Sequence, residues 1–128
     1  MTKQDLRLSG LNWRLVVYYN IGPEVPEEVL ITLWENWCSN KDIKKVILTL
    51  QNKNSGFTYT NSRDHISIMG IGKATSKEEF SNTVVHEIQH LQVDLCTYYG
   101  IPYVGEEPAI IAGEIAKAMY KGFIRYIK

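Results

Sequence analysis

An α+β fold, with a small mixed sheet of three or four strands packed on helices, is predicted by three observations. Short β-branched and aromatic runs alternate with turn residues in the first half of the chain. A long segment beginning near Lys77 carries helix-capping chemistry and an apolar stripe. A second helical segment, from about Pro108 to Ile127, follows it. The order strand, helix, three strands and two helices suits a sheet with helices segregated from it.

Each element has its own signal. Leu11–Asn20 ("LNWRLVVYYN") mixes β-branched and aromatic residues and reads as a strand, closed by Gly22-Pro23. Pro26 opens a helix with Glu27 and Glu28 in its first turn and apolar residues at 29, 30, 33, 34 and 37. Lys44–Gln51 ("KKVILTLQ") is a compact apolar run that reads as a second strand. Gln51–Gly56 has turn chemistry, and Phe57–Asn61 reads as a third strand hairpinned to the second. His65–Gly72 ("HISIMGIG") alternates as a fourth strand. Ser76 with Glu79 three residues later matches a capping box, so a helix is expected from Lys77 to about Tyr99, stopped by Gly100 and Pro102.

Composition narrows the function classes. The chain has 128 residues, 45% hydrophobic and 22% charged, which is one domain (1–128) of ordinary globular balance. Fourteen basic and fourteen acidic residues cancel, which argues against nucleic-acid binding, since gripping a phosphate backbone needs a basic excess. Lys41, Lys44 and Lys45 lie beside Asp42 and suit a solvated helix start. No apolar run has the length of a signal peptide core or a membrane span, so a cytoplasmic protein with no membrane partner is expected. Cys38 and Cys96 read as buried thiols rather than a disulfide.

The chemistry concentrates in His86-Glu87-Ile88-Gln89-His90. On a helix, His86 and His90 differ by about 40° and about 6 Å along the axis, so both imidazoles reach one ion. Zinc accepts neutral imidazole at about 2.0–2.1 Å. Glu87 is turned away from that ion and suits a general base for a zinc-bound water, whose pKa the cation draws down to roughly 7. Two buried histidines and a glutamate without a partner would instead carry a desolvation cost.

A catalytic zinc takes three protein ligands and keeps one position open. The same helix does not supply the third, because Val93 and Cys96 stand where the longer motif needs glycine and histidine, and Asp94 lies about 12 Å from His86 along the axis. The last helix begins "GEEPAIIAGEIAKAM", with small residues at Ala109, Ala112, Gly113 and Ala116. Three residues before Ala109 stands Glu106, which continues that stripe and is the preferred third ligand. Glu107 heads the row containing Ile110, Ile111 and Glu114 and is the alternative. Acids at a helix N-terminus also simply complement its dipole.

The set His86-Glu87-x-x-His90 followed by a glutamate heading a second helix resembles the gluzincins, the thermolysin-like branch of zinc metallopeptidases. It is also similar to minimal zincin domains of phages and mobile elements. The likeness runs from about Phe57 to Met119 and implies a zincin-like fold with a metal-binding helix and a C-terminal ligand helix. It further implies that His86, His90 and Glu106 bind zinc, that Glu87 is the general base, and that "ISIMG", as an edge strand, holds an extended peptide by backbone pairing. The segment Glu106–Ile110 lacks the asparagine before and the aspartate after that the thermolysin-like pattern carries. A second electrophile for the tetrahedral intermediate is sought among His65, Tyr98, Tyr99 and Tyr103, with Tyr103 preferred because it precedes the ligand helix.

The expected function is therefore a zinc-dependent peptidase acting on a peptide or protein substrate. The rival is a zincin-fold binding module with little activity, of phage or mobile-element type. A purely structural zinc site is disfavoured because such sites take four ligands and favour cysteine, and Cys96 lies about 240° round the helix from His90.

Overall fold

The computed structural model describes residues 1–128. In chain order it contains β1 (Thr2–Leu8), β2 (Trp13–Ile21), α1 (Glu27–Glu35), α2 (Asn40–Leu50), β3 (Gly56–Asn61), β4 (Ile66–Gly72), α3 (Lys77–Tyr99) and α4 (Glu106–Phe123). Short 3-10 turns occupy Ser9–Leu11 and Ile124–Tyr126. The four strands form one mixed sheet in the order β1-β2-β4-β3. The β2–β4 pair is parallel and the two outer pairs are antiparallel. The architecture is α+β, as the sequence predicts.

Helices cover both faces of the sheet. Leu15, Val17 and Tyr19 of β2 and Met69 and Ile71 of β4 pack with α3 and α4, around Val84, Leu91, Leu95, Ile111 and Ile115. The alternate residues Val16, Tyr18, Ile66 and Ile68 pack with α1 and α2, around Val29, Leu33, Val46 and Leu50. Burial on both faces is why β2 and β4 read as nearly continuous apolar runs.

Three expectations are corrected. Lys44–Gln51 is not a strand but lies largely within α2. Its β-branched run hides a helical period in which Ile43, Val46, Ile47 and Leu50 share the inner face and Leu48 points to solvent. Ser39 caps this helix by accepting a hydrogen bond from the Asp42 N–H at 3.1 Å, so the lysines do sit at a helix start. Phe57–Asn61 consequently hairpins with β4 rather than with 44–51. The strand "ISIMG" is not an edge but an interior strand, bonded to β2 on one side and β3 on the other. Edge positions belong to β3 and to β1, whose alternation in "TKQDLRL" is a further strand that the apolar-run criterion misses.

The free edge of β3 has a definite polarity. Arg14 N–H bonds the His65 carbonyl and Lys73 N–H bonds the Ile21 carbonyl, so odd-numbered β4 residues turn their backbone groups toward β2 and even-numbered ones toward β3. Gly72 N–H accordingly bonds the Ser55 carbonyl at 2.8 Å. By alternation, the N–H and C=O groups of Gly56, Thr58 and Thr60 point away from the sheet.

The helix α3 starts and stops where its caps dictate. Ser76 Oγ accepts a hydrogen bond from the Glu79 N–H at 3.0 Å, and Gly100 closes the helix in the left-handed region at φ 65°. Ser76→Ala is expected to lower stability by about 1 kcal/mol, read as a shift of the urea midpoint with an unchanged slope. A variant as stable as the parent would mean that the cap contributes nothing. No helix is long and apolar enough to cross a membrane.

Candidate metal and hydrolytic site

The helix α3 lies along the β3 edge and presents two kinds of face. Glu87 and Asp94 turn toward β3, where the Thr58 hydroxyl donates to Glu87 Oε1 at 2.9 Å and the Thr60 hydroxyl donates to Asp94 Oδ2 at 2.7 Å. His86 and His90 lie on the adjoining solvent face and are both exposed. Gly56 permits this close approach: a Cβ there would stand 3.0 Å from Glu87 Cγ and 2.6 Å from the Gly70 carbonyl oxygen.

The two imidazoles converge. His86 Nε2 and His90 Nε2 are 3.1 Å apart, with ring planes at 70°. Two ligands on one tetrahedral zinc at about 2.0–2.1 Å stand about 3.3 Å from each other, so this separation suits a shared ion. It equally suits one N–H···N hydrogen bond between the rings. Glu87 is only 3% exposed. Burial raises its carboxyl above the ordinary glutamate range, while the Thr58 hydrogen bond and the two neighbouring histidines act to lower it. A carboxylate held by one hydroxyl, next to a pair of exposed nitrogen donors, is placed to take a proton from a molecule bound there.

The remaining sequence-derived candidates lie elsewhere. No three His, Cys, Asp or Glu side chains are grouped to hold an ion, so neither Glu106 nor Glu107 joins the histidines. The start of α4 is anchored by Gln92, whose side-chain amide donates to the Pro108 carbonyl at 2.7 Å. Gln92 lies about 160° round α3 from His90, which places that anchor on the far side of the helix. Glu107 borders a hollow with Leu11, Asn12, Tyr99 and Ile101, near enough to Cys96 to reinforce the upward push of burial on that thiol. Both cysteines are buried and free, and burial pushes the Cys38 thiol up to about 11.

The small-residue stripe that favoured Glu106 does not pack as a unit: Ala112 and Ala116 lie partly buried against the core, while Ala109 is exposed. Gly113 faces open space, whereas Pro108, Ile111, Ile115 and Met119 are buried. The fully buried row of α4 thus runs through Ile111, Ile115 and Met119, with Ala112 and Ala116 partly buried beside it.

Tyr103 hydrogen-bonds the Thr97 hydroxyl. That residue is two turns beyond His90, roughly 10 Å along the helix, so Tyr103 does not overhang the imidazoles. His65 is engaged with the Asn12 carbonyl through Nδ1 and with the Tyr98 hydroxyl through Nε2 at 2.6 Å, and stacks on Trp13. Thr58, which spacing arguments pass over, is the partner that orients Glu87. The alternation of "FTYTN" places Thr58 and Thr60 on one face, but their meeting with α3 depends on tertiary packing.

Comparison with known proteins returns no matching family model, no matching curated protein and no matching solved structure.

Proposed function

We propose that the protein is a metal-dependent hydrolase, and more specifically a zinc peptidase of the minimal gluzincin type acting in the cytoplasm. The observation that carries the reading is the 3.1 Å approach of His86 Nε2 to His90 Nε2 beside a buried Glu87 held by Thr58. The donor set fits zinc in two of its positions. The third protein ligand would be Glu106 or Glu107, which stand at the start of α4 apart from the histidines. Bound zinc would supply Lewis acidity and an acidified water.

The chain's own residues do the rest. Glu87 accepts the proton of the attacking water and Thr58 fixes the carboxylate that takes it. The outward N–H and C=O groups of Gly56, Thr58 and Thr60 pair with an extended substrate and lay it across the α3 face. This assigns peptide holding to β3, in place of the interior strand β4.

The test is hydrolysis of unstructured casein by protein loaded with one equivalent of zinc, with a chelator control. Chelator-sensitive cleavage is expected. Stoichiometric zinc binding without any cleavage would favour the second reading, a zincin-fold binding module, which draws on the two-imidazole set and the distance of the α4 glutamates. Absence of zinc binding would defeat both.

A further inference from the structure

Beside Glu87, at the amino end of β3, lies a cavity of about 270 Å³ lined by Thr49, Asn54, Ser55, Gly56, Asn82, Thr83, His86 and Glu87. Not one of these side chains is apolar. That is unusual for a concave site, since pockets for organic ligands are lined mainly by hydrophobic and aromatic groups. Its volume lies at the small end of the range for ligand pockets, with room for one side chain.

The polar groups here are of two kinds. Asn54 is spent on Thr75, donating from Nδ2 and accepting the Thr75 N–H at Oδ1. Ser55 is turned to backbone carbonyls of the preceding turn, and Thr83 donates to the Glu79 carbonyl. The Asn82 amide and the Thr49 hydroxyl are not committed to any other side chain, so they remain available, one from α3 and the other from α2. Gly56 contributes an outward backbone edge to the same cavity.

We infer that this cavity is a side-chain subsite for an uncharged, hydrogen-bonding residue (asparagine, glutamine, serine or threonine) of a peptide paired to β3, with Asn82 as its specificity-determining residue. The inference rests on the peptide-holding part of the reading above. A peptide on the β3 edge alternates its side chains, and the one passing Gly56 next to Glu87 enters this cavity. An acidic side chain meets the Glu87 carboxylate and is repelled. A basic one pairs with Glu87. An apolar one strips water from Asn82 and Thr49 and returns no hydrogen bond. A neutral polar side chain bonds Asn82 and Thr49 and leaves the Glu87 carboxylate free to take a proton, which a basic one does not.

Two measurements test this. Zinc-loaded protein is given a peptide library randomised at each position flanking the cleaved bond, and metal-free protein, in chelator, is titrated with uncleaved peptides that differ only in Asn against Leu at one position. Expected is a preference of about tenfold for Asn, Gln, Ser or Thr at one flanking position, reversed toward Leu in Asn82→Leu, with the same reversal in binding. Asn82→Ser, which replaces the amide with a hydroxyl that also donates and accepts hydrogen bonds, should retain the polar preference. Cleavage with an apolar or indifferent preference at every position, unaltered by Asn82→Leu, overturns the subsite and leaves the peptidase standing. Asn82-dependent binding of the Asn peptide with no cleavage of any sequence supports the subsite and removes the peptidase. Equal binding of both peptides to parent and variant, with no cleavage, overturns both.

Discussion

Glu87→Gln is expected to lose hydrolysis by about two to four orders of magnitude, the usual share of a positioned general base, while binding one equivalent of zinc as the parent does. The substitution isolates proton transfer. Glutamine has the same shape, its amide oxygen can still accept the Thr58 hydroxyl, and neither imidazole is altered. Zinc stoichiometry and casein cleavage on the same preparation decide the matter. Cleavage at the parental rate would show that some other group accepts the proton and would end the mechanism.

The same variant has a second, opposite consequence in the metal-free protein. Burial raises the folded-state carboxyl above the ordinary value of 4.5. Between that value and the raised one, the folded state binds more protons than the unfolded state, so stability falls as pH rises through this window and the deficit is complete above it. Glutamine removes the desolvated charge. Metal-free Glu87→Gln should therefore be no less stable than the parent at neutral pH and should lack this downward limb in stability between acid and neutral pH. An engineered loss of activity by misfolding would show the reverse.

How much of this was legible beforehand depended on whether a signal was local. The α3 helix follows from Ser76, Gly100 and the spacing between them, and its histidines fall on one face by helix geometry alone. The α2 helix was hidden because Val46, Ile47 and Leu48 have strand-like composition, and only their period, set against the Ser39 cap, distinguishes the two readings. Edge and centre were not legible in "ISIMG", since a strand buried on both faces and bonded on both sides depends on where other strands insert. The separation of Glu106 from the histidines was hidden for a related reason: the spacing of small residues does not say how α4 is turned, which is set by the burial of Ile111, Ile115 and Met119. Thr58 beside Glu87 is a pairing across 29 residues that no spacing rule within one element encodes.

The contact between β3 and α3 is where fold and site meet, and Gly56→Val tests it directly. A Cβ at this position would lie 2.6 Å from the Gly70 carbonyl oxygen, 3.0 Å from Glu87 Cγ and 3.1 Å from the Thr83 methyl. The first is backbone of the neighbouring strand and cannot swing aside, so either β3 leaves β4 or α3 lifts from the sheet. Overpacking of this kind costs about 1–3 kcal/mol, and valine's branches add to it. If α3 lifts, the Thr58 hydroxyl loses Glu87, and the carboxylate moves away from the imidazole pair. The expected result is a lower urea midpoint together with loss of casein cleavage in protein that circular dichroism shows to be folded in the absence of denaturant. Gly113→Ala is the control, because its Cβ meets nothing within 4 Å on the exposed face of α4, and it should raise stability by about 0.5–1 kcal/mol without touching cleavage. Were Gly56→Val to match the parent in both midpoint and activity, β3 and α3 would not approach as closely as described, and Glu87 would have no fixed partner from which to act.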